Sequence, residues 1–363
     1  MDTQYNDNIS NRFNKLNILC IGDQHFKTNN IQEIEIFLVK LESYLKDNID
    51  NIDIIISLGD LLDDHSRVHI TPLNLAIKYI QLLTSFRFTY QIIGNHDAYS
   101  NEIFLSDNHW ANCLKHLPNL EVVDRVISRT HKDFNFILCP FVPDGRFNEA
   151  LNTIPSWKDA KCIFSHVTIR GTEMANSIIN KDSDIWELSY PLLISGHIHG
   201  SQWVQKNMYY TGSVMQVNID ENPDKHIALL SVTSTDLIIT EIKLDLPTKE
   251  RIYLNINDLA DFKVPEFNNT KYALIISGSY EEFKAFKNSG LYKELCKNPY
   301  IVNGSKGIMF KSALKSDILL SHIKERSNRH NKIQTFTELL SEAILAENNT
   351  MLTHLYAQIQ KSI

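Results

Sequence analysis

Five short polar clusters punctuate residues 22–200 of the chain, each at the end of an apolar run. GDQH supplies Asp23 and His25; GDLLD supplies Asp60 and Asp63; GNHD supplies Asn95, His96 and Asp97; FSH supplies His166; SGHIHG supplies His197 and His199. Residues two apart in an extended segment share a face, so His197 and His199 present both rings together. A single His-x-His between glycines is most simply a polar turn, and each of the other clusters is weak alone. Taken together they offer hard oxygen and borderline nitrogen donors, a set that suits Mn²⁺, Fe²⁺ or Zn²⁺. One ion cannot use so many ligands. Two ions roughly 3.5–4 Å apart, sharing one carboxylate and a bridging water, would use them all and form a clamp suited to in-line attack on phosphorus.

The elements that position these clusters are legible as buried strands. KLNILCIGD, IDIIISLGD and FTYQIIGNHD are β-branched and nearly continuously apolar, as expected of strands covered on both faces. IQEIEIFLVKLESYLKDNI and NLAIKYIQLLTSF intervene with apolar residues at helical spacing, which gives the opening of an α/β fold. Ligands of open α/β sheets bind at the carboxyl ends of the strands, so these loops should converge on one crevice. Glycine precedes the polar residue in four of the five clusters, as a backbone turning sharply out of a sheet requires. EVVDRVI, FNFILCPF, KCIFSHV, PLLISGH, NMYYTGSV and HIALLSV read as shorter strands, which implies two packed sheets, the second largely antiparallel.

Composition narrows the class. The chain has 363 residues, five cysteines without CxxC spacing and a net charge of −7. The cysteines read as reduced thiols rather than a disulfide framework. The negative balance argues against coating nucleic acid through bulk charge, although a local basic channel stays open. The N-terminal stretch has no apolar leader core and no run has the length of a membrane span, so the expectation is a protein of the cytoplasm, or of a host's cytoplasm for a viral chain, with no membrane partner.

The pattern divides the chain into a polar tail at 1–14, a main domain at 15–246, a small α+β unit at 247–312 and a linker with two helices at 313–363. YALIISGSYEEFKAFKNSGLYKEL reads as strand then helix, and YIVNGSKGIMF adds a strand. In the last segment Thr335 and Glu338 form a capping box, and Thr350 can cap the second helix. His65, Arg67 and His69 read as an exposed loop, with contact to nucleic acid as the sharper alternative. Trp203, Tyr209 and Tyr210 read as core, with stacking on bases as theirs.

The five clusters resemble the pattern of the calcineurin-like metallophosphoesterases, D-x-H, G-D-x-x-D, G-N-H-D/E, a lone H and G-H-x-H, from Asp23 to His199. The resemblance implies a four-layer α-β-β-α sandwich. It implies that Asp23, His25, Asp60 and His199 hold one metal, and that Asn95, His166 and His197, with Asp60 as the bridge, hold the other. His96 would face the scissile phosphate as proton donor, Asp97 would orient it from behind, and Asp63 would play a supporting part. Within the family, GDLLDDH lacks the arginine of the protein phosphatases and the tyrosine of the purple phosphatases. YYTGSVMQVNIDENPDKH, the small α+β unit and the terminal helix pair resemble the SbcD and Mre type of recombination and repair nuclease, with most similarity to the T-even phage type. That branch implies a Mn²⁺-dependent exonuclease and single-strand endonuclease, with Fe²⁺, Mg²⁺ or Zn²⁺ as other candidate metals. It also implies DNA as substrate, a homodimer built on helical stretches such as TPLNLAIKYIQLLTSF, and an SMC-like coiled-coil ATPase of the SbcC/Rad type as partner. The rival is a phosphodiesterase or phosphatase for a small nucleotide.

Overall fold

Leu16, Ile18 and Cys20 face one way from the first strand and Leu19 and Ile21 the other, yet all five are buried. A strand buried on both faces lies between layers. The structure, a computed structural model, describes residues 15–312 apart from 66, 103, 175–176, 267–268 and 303–306. The tail at 1–14 and the expected linker and helix pair at 313–363, with the cap residues Thr335, Glu338 and Thr350, lie outside the described residues.

In chain order the main unit carries β1 (Leu16–Ile21), α1 (Ile31–Asn48), β2 (Ile54–Ser57), α2 (Ile70–Phe86), β3 (Phe88–Ile92), β4 (Leu120–Val123), β5 (Ile127–His131) and β6 (Phe134–Leu138). There follow α3 (Phe147–Leu151), β7 (Cys162–Ser165), β8 (Leu192–Ser195), β9 (Gln202–Gln205), β10 (Met208–Tyr210), β11 (Ile227–Val232) and β12 (Leu237–Ile242). One six-stranded sheet has the order β12-β11-β1-β2-β3-β4 and the other β5-β6-β7-β8-β10-β9. Between them lies a core that includes Ile18, Ile56, Tyr90, Phe136, Phe164, Ile194 and Leu230. Phe37 and Leu41 of α1 and Tyr79, Ile80 and Leu83 of α2 pack with Leu19, Ile21 and Ile55 on the outer face of the first sheet. Each such side chain contributes roughly 1.5–3 kcal/mol when fully buried. The second outer layer is thinner: α3, a 3₁₀ turn at Trp157–Asp159 and long loops bring Phe147, Trp157 and Trp186 onto Ile137, Ile163 and Leu193. The architecture is the expected α-β-β-α sandwich.

Two expectations change. The second sheet is mixed: β6–β7, β7–β8 and β8–β10 pair in parallel, and only the edges β5 and β9 run antiparallel. Its crossovers are made of a five-residue helix and loops, so the helical periodicity that announces a parallel connection is missing. EVVDRVI is not one strand. It leaves the first sheet at Val123 and enters the second at Ile127.

A second compact unit comprises Arg251–Glu266 and the chain from Tyr272. The three-stranded sheet β13 (Thr248–Asn255), β14 (Thr270–Gly278) and β15 (Ile308–Ser312) pairs β14 with β15 in parallel. Two helices, α4 (Tyr280–Lys287) and α5 (Gly290–Lys297), replace the single expected one because Ser289 caps α5 through the Tyr292 amide. A capping box between Ser279 and Glu282 starts α4. Tyr272, Leu274, Ile276, Phe283 and Phe286 form this unit's core.

Candidate functional site

The clusters follow the carboxyl ends of β1, β2, β3, β7 and β8, and all five meet. The two sheets touch through their side chains: Asp60 Oδ2, beyond β2, lies 3.1 Å from His166 Nε2, beyond β7. His197 donates its backbone N–H to Asp23 Oδ1 at 2.8 Å, and His96 donates its own to Asp60 Oδ1 at 2.8 Å. Asp23, His25, Asp60 and His197 adopt left-handed backbone, with φ of 44°, 46°, 53° and 80°. Asp and His tolerate that region better than most side chains. The glycines allow close approach: a Cβ on Gly94 would collide with Asp60 Oδ1, and one on Gly59 would sit 2.6 Å from His166 Nδ1.

The donor atoms form three overlapping groups, each able to hold an ion: Asp23, His25 and His199; Asp60, His166 and His197; and His25, Asp60 and His96. The hydrogen bonding shows why a cation fits. His166 Nδ1 donates to the Leu58 carbonyl at 2.7 Å, which turns Nε2 inward as a lone pair. That lone pair meets the acceptors Asn95 Oδ1 at 3.2 Å and Asp60 Oδ2, with His197 Nδ1 also 3.2 Å away. His199 Nε2 likewise faces His25 Nε2 at 2.9 Å. Asp23 Oδ2 is buried without a hydrogen-bond partner. Inward-facing acceptors with no donor between them define a hole for positive charge.

In the metal-free protein a proton fills part of that hole. Burial opposes charge on His166, but Asp60 overrides it and holds the ring's pKa up to about 9. Burial pushes Asp60 upward, and His166, with His25 and His96, keeps it well below the usual carboxylate range. His197, buried and beside His166, is pushed down to about 3. Burial pushes Asp23 up. Burial acts downward on His199, yet its bond to Glu221 leaves it raised.

His96 stands at the rim. Its Nδ1 donates to the Asp63 carbonyl at 2.6 Å, and His65 stacks on the ring with centroids 4.2 Å apart. Asp97, expected to orient His96, holds the turns instead: Oδ1 accepts from the Leu61 and Leu62 amides and from Trp110 Nε1, and Oδ2 from the Gly94 amide. None of these partners is the ring of the preceding residue, His96. Asp63 Oδ1 lies 3.1 Å from His25 Nδ1 and 3.2 Å from Lys27 Nζ. Arg67 and His69 are exposed as expected, whereas His65 is half-buried against His96. Tyr209 and Tyr210 are core, and Trp203 is exposed with its ring 4.9 Å from Tyr209. Glu221 and Trp110 escaped the sequence reading. The former sits in the acidic stretch after GHIH, where nothing separates it from Asp220, and the latter in a stretch read only as amphipathic.

The profile of the calcineurin-like phosphoesterases matches residues 16–201. A protein named as a phosphoesterase, 078R of Invertebrate iridescent virus 3, is 36% identical over 297 residues, covering 80% of this chain and 85% of that one. Another so named, 244L of Invertebrate iridescent virus 6, is 39% identical over 278 residues, covering 75% and 97%. Among solved structures, a purple acid phosphatase from yellow lupin (Lupinus luteus) aligns with a TM-score of 0.45 and 11% identity over 63% of this chain and 52% of its own. Among the described residues no helix is long and apolar enough to cross a membrane. By the profile match and the two viral relatives, this chain belongs to the calcineurin-like phosphoesterase family.

Proposed function

We propose that the chain is a DNA phosphodiesterase of the SbcD and Mre type, cutting from ends and within single strands during recombination or repair. In this reading Asp23, His25, Asp60 and His199 hold one divalent ion, and Asp60, Asn95, His166 and His197 the second. The donor set suits Mn²⁺ first, with Fe²⁺, Zn²⁺ or Mg²⁺ as alternatives. When bound, the ions supply a nucleophile at neutral pH and offset charge on the phosphoryl oxygens. The protein's part is positioning and proton handling. The Asp63 carbonyl holds the Nδ1–H of His96 and the His65 ring limits its rotation. When the ring is doubly protonated, Nε2–H gives its proton to the departing oxygen and the ring is left neutral with its proton on Nδ1. Asp97 keeps the Asp60 and Asn95 turns in register through three amide hydrogen bonds and takes a fourth from the Trp110 indole.

The observation that carries the polymer reading is the second compact unit beyond the residues matched by the family, with its own sheet and core. An additional folded unit gives surface along which an extended polymer can be held. The proposed partners are DNA, a second copy of the chain, and a coiled-coil ATPase engaged through residues 313–363. One observation favours the small-nucleotide rival: a groove of about 680 Å³ beside His197 and His199, lined by Gln202, Asn218 and Asn222, has the size of a single-nucleotide site. End-labelled single- and double-stranded DNA with Mn²⁺, run against a cyclic nucleotide, separates the two. Turnover of the cyclic nucleotide with DNA left intact overturns the nuclease reading. Truncation at Arg326 is expected to retain Mn²⁺-dependent cutting and to lose co-purification with the ATPase.

A further inference from the structure

The loop after β10 contributes a carboxylate that the ligand assignment leaves unused. Glu221 Oε1 accepts from His199 Nδ1 at 2.9 Å and from the Asn218 amide at 3.1 Å. Oε2 accepts from the Val217 amide at 3.1 Å, Lys225 Nζ at 2.8 Å and Ser213 Oγ at 3.4 Å. Lys225 Nζ in turn donates to the His199 carbonyl at 2.9 Å and to Ser213 Oγ at 2.8 Å. His199 is therefore gripped twice by one loop, at its ring by Glu221 and at its main chain by Lys225. An acceptor facing Nδ1 keeps the proton there and leaves Nε2 as a lone pair aimed at His25.

The two sides of the site differ in this respect. On the Asp23 side both rings have a carboxylate behind them, Glu221 for His199 and Asp63 for His25. On the other side His166 is backed by the neutral Leu58 carbonyl, and His197 turns Nδ1 inward toward Asn95 Oδ1 at 3.0 Å. An anionic partner makes an imidazole a stronger metal donor than a neutral one does. We propose that Glu221 is a positioning residue that locks His199 in its Nδ1-protonated form and makes the Asp23–His25–His199 side the tighter of two unequal metal sites. The inference rests on the two-ion reading above.

The test uses the full chain, stripped of metal, with Mn²⁺ titrated by calorimetry into wild type and Glu221→Gln. The amide keeps a carbonyl for the loop but not the charge. The tighter ion is expected to weaken roughly 10–100-fold while the weaker one keeps its affinity. Nitrogen-15 imidazole spectra of metal-free wild type at alkaline pH, with His199 assigned by the signal lost in His199→Asn, read the tautomer without relying on any Glu221 variant. The expected signal is an Nδ1–H form that becomes a mixture in Glu221→Gln. Both ions binding the variant at wild-type affinity, or a wild-type His199 protonated on Nε2, overturns the proposal. A wild-type chain that takes up fewer than two ions instead fails the two-ion reading and removes the proposal with it.

Discussion

Asp60 Oδ2 and His166 Nε2 lie 3.1 Å apart, and they come from different sheets of the sandwich. The same carboxylate takes the His96 amide on its other oxygen. Asp60→Asn is therefore expected to lower metal content at both sites, since an amide carries no charge to share between two cations. Metal analysis with calorimetry checks this. One ion retained at wild-type affinity would assign Asp60 to a single site.

His96→Ala is expected to behave in the opposite way. The ring is held by the Asp63 carbonyl and His65 and meets the proposed ligand His25 only edge-on, with centroids 4.9 Å apart, so both ions should stay. Turnover should fall roughly a hundredfold to ten-thousandfold, as for loss of a general acid. Metal content measured beside kcat decides, because departure of an ion would make His96 a ligand, as its place in the third donor group allows.

Metal affinity is expected to rise with pH up to about 9, the value to which Asp60 holds His166 in the metal-free protein. A ligating ring must be neutral, so below that point the ion competes with a proton, at up to about tenfold in affinity per pH unit. The effect on metal-free stability runs the other way. A pKa raised from 6.5 gives stability that is complete below about 6.5 and lost as pH rises through about 9. Chelator competition and urea unfolding across that range should therefore slope in opposite senses. A flat affinity profile would show that His166 holds no proton to displace.

Trp110→Phe removes the indole N–H that Asp97 Oδ1 accepts at 2.8 Å, and leaves a buried carboxyl short of a partner. Unfolding free energy should drop by roughly 1–3 kcal/mol with the metal sites still occupied. Unchanged stability in urea unfolding would mean that the Gly94, Leu61 and Leu62 amides suffice alone.

The site was legible where chemistry and burial coincide. Asp23, Asp60, Asn95, His166 and His197 each follow an apolar run, and a polar donor ending a buried strand has few structural explanations. Glu221 was not legible because its role depends on a loop folding back onto His199, and Asp220 beside it is chemically the same. Asp97 shows another limit: the spacing of GNHD places it next to His96, but the path of the turn points it at Trp110 and the β2 turn. The pairing of β6, β7, β8 and β10 escaped because short irregular crossovers carry no periodic signal.

Four of the proposed ligands, Asp23, His25, Asp60 and His197, sit in left-handed backbone. Their identities thus answer two demands at once, a donor atom for the ion and a main chain that tolerates positive φ, and few side chains meet both. Asn is such a residue, whereas Glu, Cys or a β-branched side chain would bring strain of about 1–3 kcal/mol to the turn that presents it. The route by which this scaffold could adapt to another metal is narrow for the same reason. It runs through exchanges among Asp, Asn and His at these four turns, and freer substitution is open only at positions such as His166 and His199, whose backbone is not left-handed.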